Sequence, residues 1–158
     1  MPALINKTKF AILFFLSVIM LSQACKKTVE TQAESILGQY FEQNVLNRDF
    51  NVHFASQGGT ELTSDYGGYI FRLEKDPNTS SNTEGPMIAR LNGNITCTGT
   101  WTCTEEFGKL GINLTVPTTP ASFVFLNRSW KFTEKAFPIM KLAPWGVASD
   151  KVLHMERL

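Results

Sequence analysis

Ile95-Thr96-Cys97-Thr98-Gly99-Thr100-Trp101-Thr102-Cys103-Thr104 alternates without a break. Ile95, Cys97, Gly99, Trp101 and Cys103 fall on one side, and five threonines fall on the other. A period of two is the signature of a β-strand. The threonine row suits the wet outer face of a sheet, and the first set suits its interior. Just upstream, Met87, Ala89 and Leu91 lead into Asn92-Gly93, the strongest short hairpin signal. The stretch predicts an antiparallel pair with one buried face, and hence a mostly β protein.

The same period recurs on both sides. Phe50, Val52 and Phe54 alternate with Asn51, His53 and Ala55. Tyr69, Phe71 and Leu73 alternate with Ile70, Arg72 and Glu74, and Asp76–Pro86 reads as a loop. Leu110, Ile112, Leu114 and Val116 make the next strand; Phe123–Asn127 reads as a helical turn. Trp130-Lys131-Phe132, Ile139–Leu142 and Val152–Arg157 complete eight short strands. Neighbour-to-neighbour spacing favours an antiparallel up-and-down barrel or a sandwich, and closure would remove the exposed edges. Crossover helices, which a parallel sheet requires, are absent from the pattern.

Upstream of the strands the period is helical. Thr31 and Glu34 fit a capping box, and Ile36, Leu37, Tyr40, Phe41 and Val45 follow at helical spacing, so Gln32–Leu46 reads as one amphipathic helix. Its polar face lacks the Lys/Arg enrichment of membrane-surface helices, which favours packing on the domain. Further back, Lys7 and Lys9 precede the apolar run Phe10–Leu21 and then Ser22-Gln23-Ala24-Cys25-Lys26-Lys27. A basic start, a short apolar run and a small residue before a cysteine form an export signal. The run is about half the ~20 apolar residues that a spanning helix needs. Its end resembles the lipobox of bacterial lipoproteins, with Ser22 in the usual place of Leu. That resemblance makes Cys25 the lipid attachment site and the mature N-terminus. The organisation expected is a signal peptide over 1–24, a tether over 25–33 and a domain over 34–158 that includes the helix.

Removal of the signal leaves 134 of the 158 residues, which suits one core. It also takes two lysines from the 15 basic side chains, leaving 13 against 14 acidic ones. Charges of both signs are scattered, so no nucleic-acid footprint is expected.

Cys97 and Cys103 have two readings. On one straight strand, six residues at ~3.3 Å set them about 20 Å apart, beyond disulfide reach. If 98–102 were a tight loop, they would bridge, as exported cysteine pairs usually do. Asn92-Gly93 already supplies the turn, which favours the single strand and makes both cysteines small buried hydrophobes. Neither they nor His53 and His154 form a metal-ligand set. The two histidines lie far apart in sequence at outward or edge positions, and no nucleophile elbow accompanies them. Glu105-Glu106 reads as a solvated turn, Gly58-Gly59 and Gly67-Gly68 as turn markers, and Asn94, Asn113 and Asn127 as Asn-X-Ser/Thr strings without glycosylation meaning. No catalytic residue, metal or cofactor is expected.

Glu61-Leu62-Thr63-Ser64-Asp65-Tyr66, the aromatic strand Tyr69–Leu73, Gly99-Thr100-Trp101, Lys109-Leu110 and Trp130 resemble the small lipocalin-like lipoproteins of Bacteroidota. Phe125-Leu126-Asn127-Arg128-Ser129-Trp130 and Leu142-Ala143-Pro144-Trp145-Gly146 resemble one subgroup of them, a family without an assigned function. The resemblance covers nearly all of the mature chain. It implies an eight-stranded lipocalin-like barrel on a lipid anchor, and no catalytic residue. Because no run of acidic residues follows Cys25, the place expected in the cell envelope is the periplasmic side of the outer membrane. Tyr69, Phe71, Trp101, Trp130, Phe132 and Trp145 then lie on or near the barrel interior or its mouth. Eight strands are just wide enough to be filled or to hold one small ligand. The large aromatics favour filling, while Gly99 and Ala89 leave room for a ligand. The function expected is non-enzymatic binding of a small apolar ligand or an envelope protein; the alternative is a structural or inhibitor-like interaction module with a filled barrel.

Overall fold

Among the described residues of the computed structural model nine strands follow one another, and each pairs antiparallel with its neighbours in the sheet. They are β1 (Asp49–Gln57), β2 (Thr60–Glu61), β3 (Tyr69–Leu73), β4 (Glu84–Leu91), β5 (Asn94–Thr104), β6 (Lys109–Val116), β7 (Ser129–Glu134), β8 (Ile139–Pro144) and β9 (Val152–Arg157). All eight strands read from the alternation are present, and the ninth is the two-residue β2 folded back on β1. The last strand returns to the first, β9 beside β1, so the single sheet runs as a ring. The chain divides into two units, Met1–Leu37 and Gly38–Leu158. The structure describes positions 38–158 apart from 40, 80, 105–107, 135, 137 and 147. The signal, Cys25, the tether, the start of the Gln32–Leu46 helix and Glu105-Glu106 lie outside the described residues. Within that helix, positions 38, 39 and 41–44 are helical and 45–47 form a turn.

Asn92 and Gly93 take φ of 51° and 83°, the left-handed pair of a type I′ hairpin turn. The strand they open, β5, runs unbroken through both cysteines, which are buried thiols. The alternation holds where pairing is regular and flips where one strand carries an extra residue. Ala89 faces Cys97 but Arg90 faces Ile95, so Thr96 bulges and its hydroxyl donates to the Ala89 carbonyl at 3.2 Å. Ile95 is thereby turned outward and is 59% exposed, not interior as its parity suggested. A second shift, between Thr98 and Gly99, leaves Val116 outside in the same way. A third, at His53, sends Ala55 inward beside Leu153 and leaves Phe54 half-buried on the outside. The 76–86 loop is also shorter than its composition suggested, since Glu84–Pro86 already pairs with β5.

Gly99 has a role different from leaving room inside. A Cβ there would run into the backbone of Asn113 and Leu114 on β6. The glycine therefore sets how closely β5 and β6 approach.

Large apolar side chains fill the inside of the ring. Trp101, Trp130, Phe50, Phe71, Phe123, Leu73, Met87, Leu110, Leu114, Leu126, Met140 and Leu142 are all fully buried in one cluster. Among the described residues no buried one is polar or charged. The two indole N–H groups reach backbone carbonyls, Trp101 that of Glu74 at 2.8 Å and Trp130 that of Leu126 at 2.9 Å, so neither polar edge is stranded. At the end where the chain enters, Phe41 lies 5.5 Å from Trp101, with Val45 and Leu46 buried beside it. At the Asn92-Gly93 end, the helical turn Phe123–Leu126 inserts Phe123 against Tyr69 (5.0 Å) and Phe71 (5.5 Å).

Two neighbouring pairs are short. β1 meets β3 only at Asp49↔Arg72 and Phe50↔Phe71, where the Arg72 guanidinium grips both Asp49 oxygens at 2.7 and 2.8 Å. β6 meets β7 over Lys109–Gly111 alone. Beyond it the Asn127 amide takes the place of a strand: its oxygen accepts from the Leu114 N–H at 2.8 Å and its nitrogen donates to the Leu114 carbonyl at 2.9 Å.

Candidate functional site

Where β1 and β3 diverge, the 3₁₀ turn Thr63–Tyr66 fills the gap. The Thr63 hydroxyl accepts from the Ala55 N–H at 3.1 Å, and Leu62 donates to the Ala55 carbonyl at 2.8 Å. These bonds replace the missing strand and turn Tyr66 inward, where its phenol donates to the Ser122 carbonyl at 2.8 Å. Tyr66 packs near Phe123 and Phe125. The gap-filling turn and the Phe123–Leu126 turn thus meet at the hairpin end of the ring.

Between them lies an open groove of about 810 Å³. Leu62, Ala121, Val124 and Phe125 supply its apolar surface, and Asp65, Arg128 and Lys151 its charge. Arg128 is fixed: Nε donates to the Phe125 carbonyl at 2.7 Å and Nη2 to that of Val124 at 3.2 Å. Its guanidinium also sits 5.5 Å from the ring centroids of Phe125 and Trp130. The cation thereby neutralises the carbonyl end of the short helical turn. Burial holds the Tyr66 phenol well above its ordinary pKa; Asp65 adds to this and Arg128 opposes it. Val124, 63% exposed, is the most prominent apolar side chain here. A smaller dent of about 250 Å³ lies on the outer face, lined by Thr100, Thr102, Gly111, Asn113 and Ser129 among others.

The residues weighed for chemistry take other places. His53 and His154, distant in sequence, come onto the paired strands β1 and β9. His53 Nδ1 lies 3.4 Å from a Glu156 carboxylate oxygen, and the His154 ring lies 5.4 Å from Phe54. Burial first, and then Lys141 and His53, lower the His154 pKa, against the pull of Glu134. No serine or cysteine is brought to either imidazole by a hydrogen bond among the described residues. Burial raises the pKa of the Cys97 thiol, whose sulfur contacts the Thr118 carbonyl at 3.8 Å, an environment for an inert thiol rather than a nucleophile. Among the described residues no group of three or more His, Cys, Asp or Glu is placed to hold a metal. Trp145 is 36% exposed on the outside of the ring, with the Lys109 ammonium 5.5 Å from its ring.

Tyr66, Arg128, Lys151 and Asn127 went unnoticed in the sequence as site-building residues. Their signal was indirect. Leu62, Asp65 and Tyr66 belong to one of the strings that carry the family resemblance, and Phe125, Asn127 and Arg128 to another. No family model, curated protein or solved structure matches this chain.

Proposed function

We propose that this chain is a lipid-anchored protein of the cell envelope, tethered through Cys25, that acts without catalysis by binding another envelope protein at its outer surface. In this reading β1 and β3 to β9 are the eight staves of a lipocalin-like barrel, and β2 is a flap on β1. The carrying observation is the interior. Trp101, Trp130, Phe123 and Met87 are fully buried in one cluster inside the ring, in the space where an eight-stranded barrel would otherwise hold a ligand. A barrel filled by its own side chains leaves the outside for recognition. The groove lies at the hairpin end, at the opposite end of the ring from Phe41 and Trp101.

A photo-crosslinking amino acid at position 124 tests this in living cells. A covalent protein adduct is expected there and not at exposed Thr133, near the other end of the ring. Equal labelling at both positions, or none at Val124, would overturn the reading. The anchor has its own test: Cys25→Ser should leave the membrane fraction or keep its signal uncleaved.

A further inference from the structure

Resting on that reading, we infer that the groove at the hairpin end receives an acidic segment of the partner polypeptide, with apolar residues between its acidic ones. The chain as a whole is close to neutral, yet two cations and one acid line this groove, Arg128 and Lys151 against Asp65. Arg128 is held in place by two carbonyls and two aromatic rings, so its charge is already positioned before anything binds. Two of the five N–H donors of its guanidinium are spent on those carbonyls, leaving three for a carboxylate. Lys151 makes no ion pair among the described residues, nor does Asp65.

The apolar surface beside the charges narrows the partner further. Val124 stands 63% exposed, with Leu62 half-buried and Phe125 buried behind it. An interface needs such an apolar anchor ringed by polar groups. The groove is open to solvent rather than enclosed, which fits a few residues of extended chain better than an enclosed metabolite. A flat anionic membrane is the other source of negative charge. The concavity argues against it.

Fluorescence anisotropy on the mature protein in detergent would test the inference with three labelled hexapeptides. One alternates glutamate with leucine, and in the others lysine or glutamine replaces the glutamate. The acidic peptide should bind saturably, and the other two at least about tenfold more weakly. Its affinity should fall several-fold between about 50 and about 300 mM salt, because the contacts are near the surface. Lys151→Glu should weaken it about tenfold with no change in melting temperature, since Lys151 has no ion pair to lose among the described residues. Equal binding of all three peptides, no binding of the acidic one up to about 1 mM, or indifference to Lys151→Glu would overturn the inference. Binding to phosphatidylglycerol vesicles that depends on Lys151, without peptide binding, would overturn it in favour of a lipid surface. Should Val124 still crosslink to an envelope protein in any of those cases, the partner's chemistry falls and the binding function stands. Loss of the Val124 adduct is the separate result that removes the function itself.

Discussion

The wall formed by β4, β5 and β6 and the seams at β1–β3 and β6–β7 are held by different means. β5 faces β4 over eight register pairs and β6 over seven; β1 meets β3 over two and β6 meets β7 over three. In the wall the backbone does the joining, and the side chains are left to alternate between core and water. At the seams the ladder is short and side chains complete it: the Asp49–Arg72 pair, the Thr63–Tyr66 turn and the Asn127 amide. The groove sits against two of these patches, because irregular chain at a seam leaves concave surface that a continuous sheet does not.

If the wall carries most of the stability, the largest effect should come from Trp101→Ala. It removes one of the two fully buried tryptophans and strands the Glu74 carbonyl, so a cost of about 3–5 kcal/mol is expected in denaturant unfolding. An unchanged midpoint would mean that the β5 inner face is assigned wrongly.

Asn127→Ala should come next, at about 1–2 kcal/mol, since it leaves the Leu114 N–H and carbonyl without their partner amide. Hydrogen exchange at Leu114 should accelerate while exchange along the β4–β5 ladder stays slow. A loss spread evenly over both regions would erase the distinction between seam and wall. Arg72→Met removes an ion pair whose members are each about a third exposed, so about 1 kcal/mol is expected, shrinking with added salt.

How much of this could be read in the chain follows the same division. The wall was readable because its information is local. Period-two alternation and Asn92-Gly93 specify β4, β5 and β6 from neighbours in sequence, and the single-strand reading kept Cys97 and Cys103 apart. The errors at Ile95, Val116 and Phe54 all come from bulges, where an extra residue flips the parity and composition carries no mark of it. The seams depend on pairs far apart, such as Asp49 with Arg72 and Tyr66 with the Ser122 carbonyl. Asn127 stood in a helical turn, in an Asn-X-Ser string and in a string that carries the family resemblance, but nothing local distinguishes an amide that completes a ladder from one in water. The groove was hidden for the same reason, because Lys151 reaches it from the segment before β9 and Arg128 from the one before β7.

The smallest effect concerns the join between first and last strands, where His154 lies. Its pKa is depressed below the ordinary 6.5, first by burial. The unfolded chain then takes up the proton before the folded one. Stability is full above about pH 6.5 and falls as the pH drops below it towards the folded value. His154→Gln should flatten that part of the stability profile, and an unchanged slope between pH 6.5 and 5.5 would show that the imidazole is not the cause.

The filled ring is tested most directly by titrating the purified protein with a long-chain fatty acid while following tryptophan fluorescence. Trp101 and Trp130 occupy the interior, so any ligand entering the ring must displace or contact them. No saturable change is predicted up to about 100 µM, far above the micromolar range of a genuine site. Saturable quenching at micromolar concentrations, lost on enlarging Ala89 at the inner face, would contradict a ring filled by its own side chains.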